Sequence, residues 1–241
     1  MKKKNLLLLL LLILLLAAVG GIFWYLHRQQ EEKDINETLK ELAASEDGTF
    51  VSPINFTALK QENADIYAWI RIDDTAIDYP VLQSSTDDPD YYVNYTVEHV
   101  KGYPGALFTE SDLNTNPFED MVTVIYGHDM KNGTMFGTLD KWTDEDYRNA
   151  HDTIQIYTEA HTYTYKVAFV QVYDDRNILA KYDCSTETGY QAFLDSLANV
   201  HAIPYWHSQE IETDTKTPLV VLSTCYGDDR LLVGAVLTEK K

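Results

Sequence analysis

The chain begins with one long apolar segment and continues as short apolar runs separated by polar turns. The apolar segment is uninterrupted from Leu6 to Leu26, and a polar, acidic stretch with a thin apolar stripe at Leu39 and Leu42 occupies residues 27–49. This pattern predicts a long apolar helix followed by a polar helical stalk or linker. The globular domain is expected to occupy residues 50–241.

Most apolar runs of this domain are short and rich in β-branched and aromatic residues, which predicts strands. In the longest run, Tyr163, Tyr165, Val167 and Phe169 alternate with polar residues, and this period of two indicates a strand with one buried face. The pattern predicts a mainly β domain whose sheet closes into a barrel or a sandwich. The predicted strands are Ala68–Ile72, Ala76–Leu82, Met121–Tyr126, Thr153–Tyr157, Thr162–Tyr173, Pro218–Thr224 and Leu231–Thr238.

Two apolar stripes with helical spacing interrupt the strands, and we interpret both as core packing. The first predicts a short helix, and its apolar positions are Met135, Phe136, Leu139 and Trp142. The second predicts a longer helix with Ser185 or Thr186 as its N-cap. Its apolar positions are Tyr190, Phe193, Leu194, Leu197 and Val200.

The apolar run at the start is long enough to cross a membrane. It has 21 residues, which as a helix cover roughly 30 Å. The apolar region of a cleaved signal peptide is shorter, about 7 to 15 residues, so we predict an uncleaved anchor at 6–26 and keep the signal peptide as the alternative. The lysines before the run favour a cytoplasmic N-terminus at residues 1–5. The rest of the protein would then be extracellular.

The charge balance argues against nucleic-acid binding. The 241 residues include 38 acidic and 19 basic ones, for a formal net charge of −19. Such a surface repels polyanions, whose recognition depends on Lys and Arg. The average globular composition, with 45% hydrophobic and 24% charged residues, indicates one sizeable folded domain.

The cysteine content suggests chemistry rather than a disulfide scaffold. The chain has two cysteines, Cys184 and Cys225, and one bridge between them stays open as an alternative. Neither has a C-x-x-C partner and the histidines are scattered, so we predict no metal and no cofactor. Cys184 lies in an expected loop before the second helix, and we interpret it as non-catalytic.

A small polar segment between two apolar runs contains Cys225 and Arg230. Cys225 ends the first run, and Arg230 opens the second after a tight turn that includes Gly227. If the two runs pair as a hairpin, the thiol and the guanidinium lie near one another at one end of the sheet. A nearby fixed cation favours a reactive thiolate and can stabilise a developing oxyanion.

A nucleophilic cysteine also needs a residue that moves protons, and His128 is the best candidate. It follows the apolar run that ends at Tyr126, and we expect Gly127 to give the backbone freedom for a bend there. Histidine can take up and return a proton near neutral pH. Spacing alone leaves two interpretations open, a catalytic pair or two ordinary loop residues.

The order of these motifs resembles the sortase family. Tyr-Gly-His-Asp-Met at 126–130 precedes Leu-Ser-Thr-Cys at 222–225, and Arg230 follows on the last strand. The runs Ala68–Ile72 and Ile77–Gln83 also resemble early strands of the family. Within it, the motifs are most similar to class B. The resemblance covers roughly residues 50–240.

The resemblance implies a closed sortase-type β-barrel of about eight strands. It also implies an N-terminal helix and a helix in the connection before the catalytic strand, where the second apolar stripe lies. One departure is the spacing, because only four residues separate Cys225 from Arg230, fewer than in many class B members. This short connection puts the class and the substrate preference in question.

The resemblance also implies roles for individual residues. Cys225 would attack the backbone carbonyl of a sorting signal, His128 would protonate the leaving amine, and Arg230 would hold the substrate or the oxyanion. An amine would then displace the cysteine from the thioester. Three further residues would line the peptide groove, namely Tyr126, Ser223 and Asn94.

The resemblance further implies a single-pass enzyme of the Gram-positive cell membrane. Its partners would be secreted proteins that bear a sorting signal and an amine acceptor from a cell-wall precursor or a pilin, with no nucleic acid. Two other functions remain as alternatives. One is an extracellular cysteine peptidase that hydrolyses without transfer, and the other is a tethered β-domain without catalysis.

Overall fold

The computed structural model describes residues 2–44, 52–199 and 205–241, which fall into two compact units, one up to residue 41 and one from residue 42 to 241. Helix α1 extends over Lys2–Ala44. Within the described residues it is the one helix that is long and apolar enough to cross a membrane, a test that a signal sequence also passes. The division into 1–5, 6–26 and 27–49 stays a prediction, and residues 45–49 lie outside the described ranges.

The strands of the described part of the domain are β1 Ile66–Arg71, β2 Asp78–Gln83, β3 Leu107–Thr109, β4 Val122–Tyr126, β5 Thr153–Thr158, β6 Thr162–Tyr173, β7 Tyr205–His207, β8 Leu219–Tyr226 and β9 Asp229–Lys240. They form one nine-stranded sheet in the order β5-β1-β2-β3-β4-β8-β9-β6-β7. An additional pairing of β5 with β6 closes eight of the strands into a barrel, and β7 pairs with β6 outside that ring.

The mainly β barrel expected from the sequence is confirmed. All seven predicted strands are present, with ends that differ by at most two residues. The strands β3 and β7 were not predicted, because each has only three residues and shows no periodicity. β3 nevertheless joins the barrel together, since it pairs in parallel with β2 and antiparallel with β4.

The helices in the described part of the domain are α2 Phe56–Glu62, α3 Tyr91–Asn94, α4 Glu145–Ala150, α5 Ile178–Lys181, α6 Glu187–Asn199 and a 3-10 helix at Leu139–Thr143. The long helix predicted in the connection before β8 is confirmed as α6, and Thr186 caps it by accepting a hydrogen bond from the backbone N–H of Gly189. Val200, the last apolar position of the predicted stripe, lies outside the described residues.

The prediction of one helix over the first apolar stripe is wrong. Only Leu139 and Trp142 lie in a helix, the short 3-10 helix. Met135 has a φ of +51°, outside the helical region, and it pairs with Asp129 in an isolated β-bridge. The side chains of the stripe are all buried, so its apolar spacing reflects core packing rather than one continuous helix.

Strand β8 packs against the core on both of its faces. Val220 and Leu222 of β8 belong to one buried apolar cluster, and Leu219 and Val221 belong to a second cluster that also contains Phe193 of α6. A strand buried on two sides has little freedom to move. Its C-terminal end therefore presents the next residues at a fixed place on the domain.

Candidate active site

The predicted hairpin places Cys225 directly opposite Arg230. Strands β8 and β9 are antiparallel, and Cys225 and Arg230 are register partners. The connecting turn consists of Gly227 and Asp228, and Gly227 has a φ of +64°, which a side chain would disfavour. The Arg230 guanidinium donates a hydrogen bond from Nη1 to Sγ of Cys225 at 3.4 Å. The exposed thiol thus lies beside a fixed cation.

His128 reaches the same region because β4 is the parallel neighbour of β8, with Tyr126 opposite Ser223. Two hydrogen bonds continue this pairing beyond the end of β4. The N–H of Gly127 donates to the carbonyl of Ser223 at 3.1 Å, and the Thr224 hydroxyl donates to the carbonyl of Gly127 at 2.8 Å. Thr224, which precedes Cys225, is therefore hydrogen-bonded to Gly127, which precedes His128.

Gly127 is required here for space and not for the backbone freedom that we expected. Its φ is outside the left-handed region. A Cβ at this position would lie 2.3 Å from a methyl carbon of Leu107 and 2.7 Å from the ring of Phe136. The close packing of β3 and the Phe136 segment on Gly127 leaves no room for a side chain.

The orientation of His128 is fixed by a backbone carbonyl. Its Nε2 lies 2.9 Å from the carbonyl oxygen of Val93 in α3. A carbonyl can only accept, so Nε2 carries a hydrogen and donates it. In the neutral imidazole, Nδ1 is then the nitrogen with the lone pair.

One cavity of about 440 Å³ contains the three predicted catalytic residues, His128, Cys225 and Arg230. Its size is within the usual range for ligand sites, roughly 300–1,000 Å³. Apolar side chains of Phe108 and Leu232 contribute to its wall. The cavity thus combines a thiol, an imidazole and a guanidinium with apolar surface, which suits a peptide substrate.

The three residues predicted to line the peptide groove also line this cavity. The ring of Tyr126 stacks on Phe108 with 5.5 Å between the centroids. Ser223 is buried in β8, and Asn94 ends α3, where its carbonyl accepts a hydrogen bond from Gly102 at 2.8 Å. Their role in substrate binding stays a prediction.

Two functional candidates were missed in the sequence, Thr224 and Glu110. The Leu-Ser-Thr-Cys pattern gave no reason to assign Thr224 a role apart from its neighbours. Glu110 lines the cavity and is only 6% exposed. Burial raises the pKa of its carboxyl, the Tyr126 hydroxyl opposes this, and Asp90 raises the pKa further. One acidic residue among 38 carries no sequence signal of such burial.

Cys184 lies elsewhere and differs chemically from Cys225. Both cysteines are free, so the alternative of a bridge between them is not present. Cys184 is buried, and burial raises the pKa of its thiol to about 12. Such a thiol is inert near neutral pH. Within the described residues, no group of three or more His, Cys, Asp or Glu side chains is placed to hold a metal ion.

The comparison with known families agrees with this geometry. A family model described as the sortase domain matches residues 70–238. The chain belongs to the sortase family.

Individual relatives place it within the family. Sortase B of Listeria monocytogenes is 32% identical over 191 residues, which are 76% of this chain and 73% of the relative. Sortase B of Staphylococcus aureus is 26% identical over 175 residues, or 70% of this chain and 67% of the relative. A crystal structure of sortase B from B. anthracis has a TM-score of 0.73 at 26% identity and covers 88% of this chain and 98% of its own. The protein is a class B sortase and hence a sortase-type cysteine transpeptidase.

Proposed function

We propose that this sortase cleaves a C-terminal sorting signal of secreted proteins through a thioester on Cys225 and joins the released acyl group to an amine. The acceptor would be a cell-wall precursor or a pilin. The observation that carries the proposal is the direct pairing of Cys225 with Arg230 in the lining of the cavity that His128 also lines. It brings a nucleophile, a cation and a proton carrier to one peptide-sized space.

The residues would act in two steps. In the first, the Cys225 thiol passes its proton to His128 while Sγ attacks the peptide carbonyl carbon and a C–S bond forms. The C–N bond then breaks as His128 gives that proton to the departing amine. Arg230 stabilises the oxyanion of the tetrahedral intermediate. In the second, an incoming amine attacks the thioester, His128 takes a proton from it, and the C–S bond breaks. Cys225 leaves as a thiolate and regains the proton from His128.

Transfer can be separated from hydrolysis by competition between water and an amine. The full chain, purified in detergent, is incubated with a library of candidate sorting peptides, with and without hydroxylamine or triglycine. We expect hydroxamate and triglycine-linked peptides in the mass spectrum. Hydrolysis products alone at every amine concentration would contradict the transfer step and favour the peptidase alternative.

Substitution of each cysteine provides matched controls. Cys225→Ala should abolish all products and the covalent acyl-enzyme mass. Cys184→Ala, which removes the buried thiol of the second cluster, should retain turnover. Product formation by Cys225→Ala would overturn the assignment of the nucleophile.

We also propose that residues 6–26 anchor the enzyme in the cell membrane, with residues 1–5 in the cytoplasm and the domain outside. The length and the apolar character of α1 support this, as do the lysines that precede the apolar run. Anchoring would keep the enzyme near proteins that emerge from the membrane. Mass spectrometry of the mature protein in membrane fractions tests it, because a chain that has lost residues 6–26 would support the signal peptide.

A further inference from the structure

The short helix α3 ends in three consecutive carbonyl groups that all have partners outside the helix. The carbonyl of Tyr92 accepts from the N–H of Ala106 at 3.0 Å, and that of Asn94 accepts from Gly102 at 2.8 Å. Between them, the carbonyl of Val93 accepts from Nε2 of His128 at 2.9 Å. The last carbonyls of a helix need such external donors. The donor to one of these carbonyls, that of Val93, is thus His128, the proposed proton carrier.

The segment after α3 also covers the face of the imidazole. The ring of Tyr103 lies 4.8 Å from the His128 ring, centroid to centroid, with an interplanar angle of 58°. Its hydroxyl donates to the carbonyl of Asp129 at 3.4 Å. Tyr103 therefore contacts both His128 and the residue that follows it. Tyr103 as a whole is 57% exposed, far more than a residue kept only for core packing.

This segment has a defined conformation of its own. Tyr95 and Lys101 form an isolated β-bridge across it. At its end, Gly105 has a φ of +71°, and a Cβ there would lie 2.3 Å from the carbonyl oxygen of Tyr92 and 2.7 Å from that of Val93. The backbone of Gly105 thus packs directly on the carbonyl that holds His128.

From these contacts we infer that Tyr103 and the Val93 carbonyl together fix the position and the tautomer of the His128 imidazole. Nδ1 is then the nitrogen that gives the proton to the leaving amine. Tyr103 is a positioning residue in this arrangement. The carbonyl fixes the tautomer because Nε2 must donate to it, and the tyrosine ring restricts rotation of the imidazole. The inference rests on the proposed role of His128 in transpeptidation, but the tautomer can be measured without turnover.

The tautomer is tested by NMR of the full chain in detergent micelles, labelled with 15N-histidine. Long-range proton–nitrogen correlations distinguish a neutral ring protonated on Nε2 from one protonated on Nδ1. Comparison with His128→Asn assigns the resonance among the seven histidines. We expect the Nε2–H form for His128. The Nδ1–H form would overturn the inference whatever the activity.

The positioning role is tested by kinetics of three variants. Tyr103→Ala should lower kcat about tenfold with little change in KM, because small misplacements of a reacting group are costly. Tyr103→Phe, which keeps the ring, should restore most of kcat. The matched control is Tyr147→Ala. The Tyr147 ring stacks on His151 with 4.1 Å between the centroids, and Tyr147 does not line the cavity. It should leave kcat unchanged.

Two results would refute the positioning role. One is a kcat for Tyr103→Ala equal to that of the wild type. The other is a loss of kcat in both alanine variants that follows their melting temperatures.

A further variant addresses the carbonyl itself, since Gly105→Ala should displace Val93 and populate the other tautomer of His128. If the wild type transfers no peptide at all, the proposed function fails, while the NMR result still decides the tautomer.

Discussion

The two ends of strand β9 hold charged residues in opposite situations. At one end, Arg230 lines the cavity of the candidate active site and contacts Cys225. At the other end, Lys240 pairs with Glu119, which also accepts a hydrogen bond from Tyr163 at 2.6 Å. Arg230 contacts a thiol, which is a weak hydrogen-bond acceptor, whereas Lys240 is paired with a carboxylate. The same strand therefore has a cation of the candidate active site at one end and a cation paired with a carboxylate at the other.

Two glutamates show the same contrast. Burial raises the pKa of Glu110, which lines the cavity. The hydrogen bonds from Lys240 and Tyr163 lower the pKa of Glu119. The surroundings of Glu110 at the cavity thus disfavour its charged form, whereas the hydrogen bonds to Glu119, away from the cavity, favour its charged form.

The sharpest test of this contrast exchanges the two cations of β9 for alanine. Arg230→Ala should lower kcat/KM by about 10²–10³, the usual effect of removing one oxyanion donor. Lys240→Ala should leave kcat/KM unchanged. Arg230→Lys keeps the charge but loses the planar fork, so we expect only partial recovery. Equal rates for Arg230→Ala and the wild type, measured by peptide turnover, would remove Arg230 from the mechanism.

A second test breaks the connection between the nucleophile and the histidine. Thr224→Val keeps the shape of a buried side chain but removes the hydroxyl that donates to Gly127. We expect kcat to fall about tenfold and the melting temperature to fall by roughly 2–4 °C. Thr238→Val, which removes a hydroxyl bond near the other end of β9, should leave kcat unchanged. A normal kcat for Thr224→Val would show that the strand pairing alone positions His128.

The third test uses Glu110→Gln. Because the pKa of Glu110 is raised in the folded protein, its ionisation destabilises the fold as pH rises above its ordinary pKa of 4.5. The glutamine variant should melt roughly 2–4 °C higher than the wild type near neutral pH. The gain should disappear below the ordinary pKa. A lower melting temperature at neutral pH would mean that the charged form is stabilised by contacts of Glu110.

The smallest effect is expected for Glu119→Gln, with the opposite pH dependence. The pKa of Glu119 is lowered, so its stabilisation is present above 4.5 and is lost as pH falls through the folded value. Near neutral pH the variant should be less stable by about 0.2–1 kcal/mol, as for other exposed ion pairs. Thermal unfolding at two pH values checks this, and a pH-independent difference would contradict it.

The hairpin could be predicted because its signals are local. Two apolar runs, a glycine turn and the residues at its ends lie within one short stretch, and the barrel strands show clear periodicity. The hydrogen bond from Thr224 to Gly127 joins residues 97 positions apart. Neither segment reveals that β4 and β8 are parallel neighbours, so this contact could not be read from the sequence.

Other parts of the site depend on tertiary packing that the sequence pattern does not encode. Gly127 resembled a bend residue, but only the positions of Leu107 and Phe136 explain it. Tyr103 lies in a polar segment without periodicity, and its contact with His128 arises from the path of the chain after α3. Met135 kept its buried position although the predicted helix was replaced by a β-bridge and a 3-10 helix.

The exposure of Cys225 also determines how this enzyme can be damaged. An exposed thiol beside a cation is open to oxidation to sulfenic acid, which a second thiol can reverse by forming a disulfide. The chain has one other cysteine, and Cys184 is buried with a thiol that stays protonated. Recovery after oxidation of Cys225 therefore has to come from a thiol or reductant outside this chain.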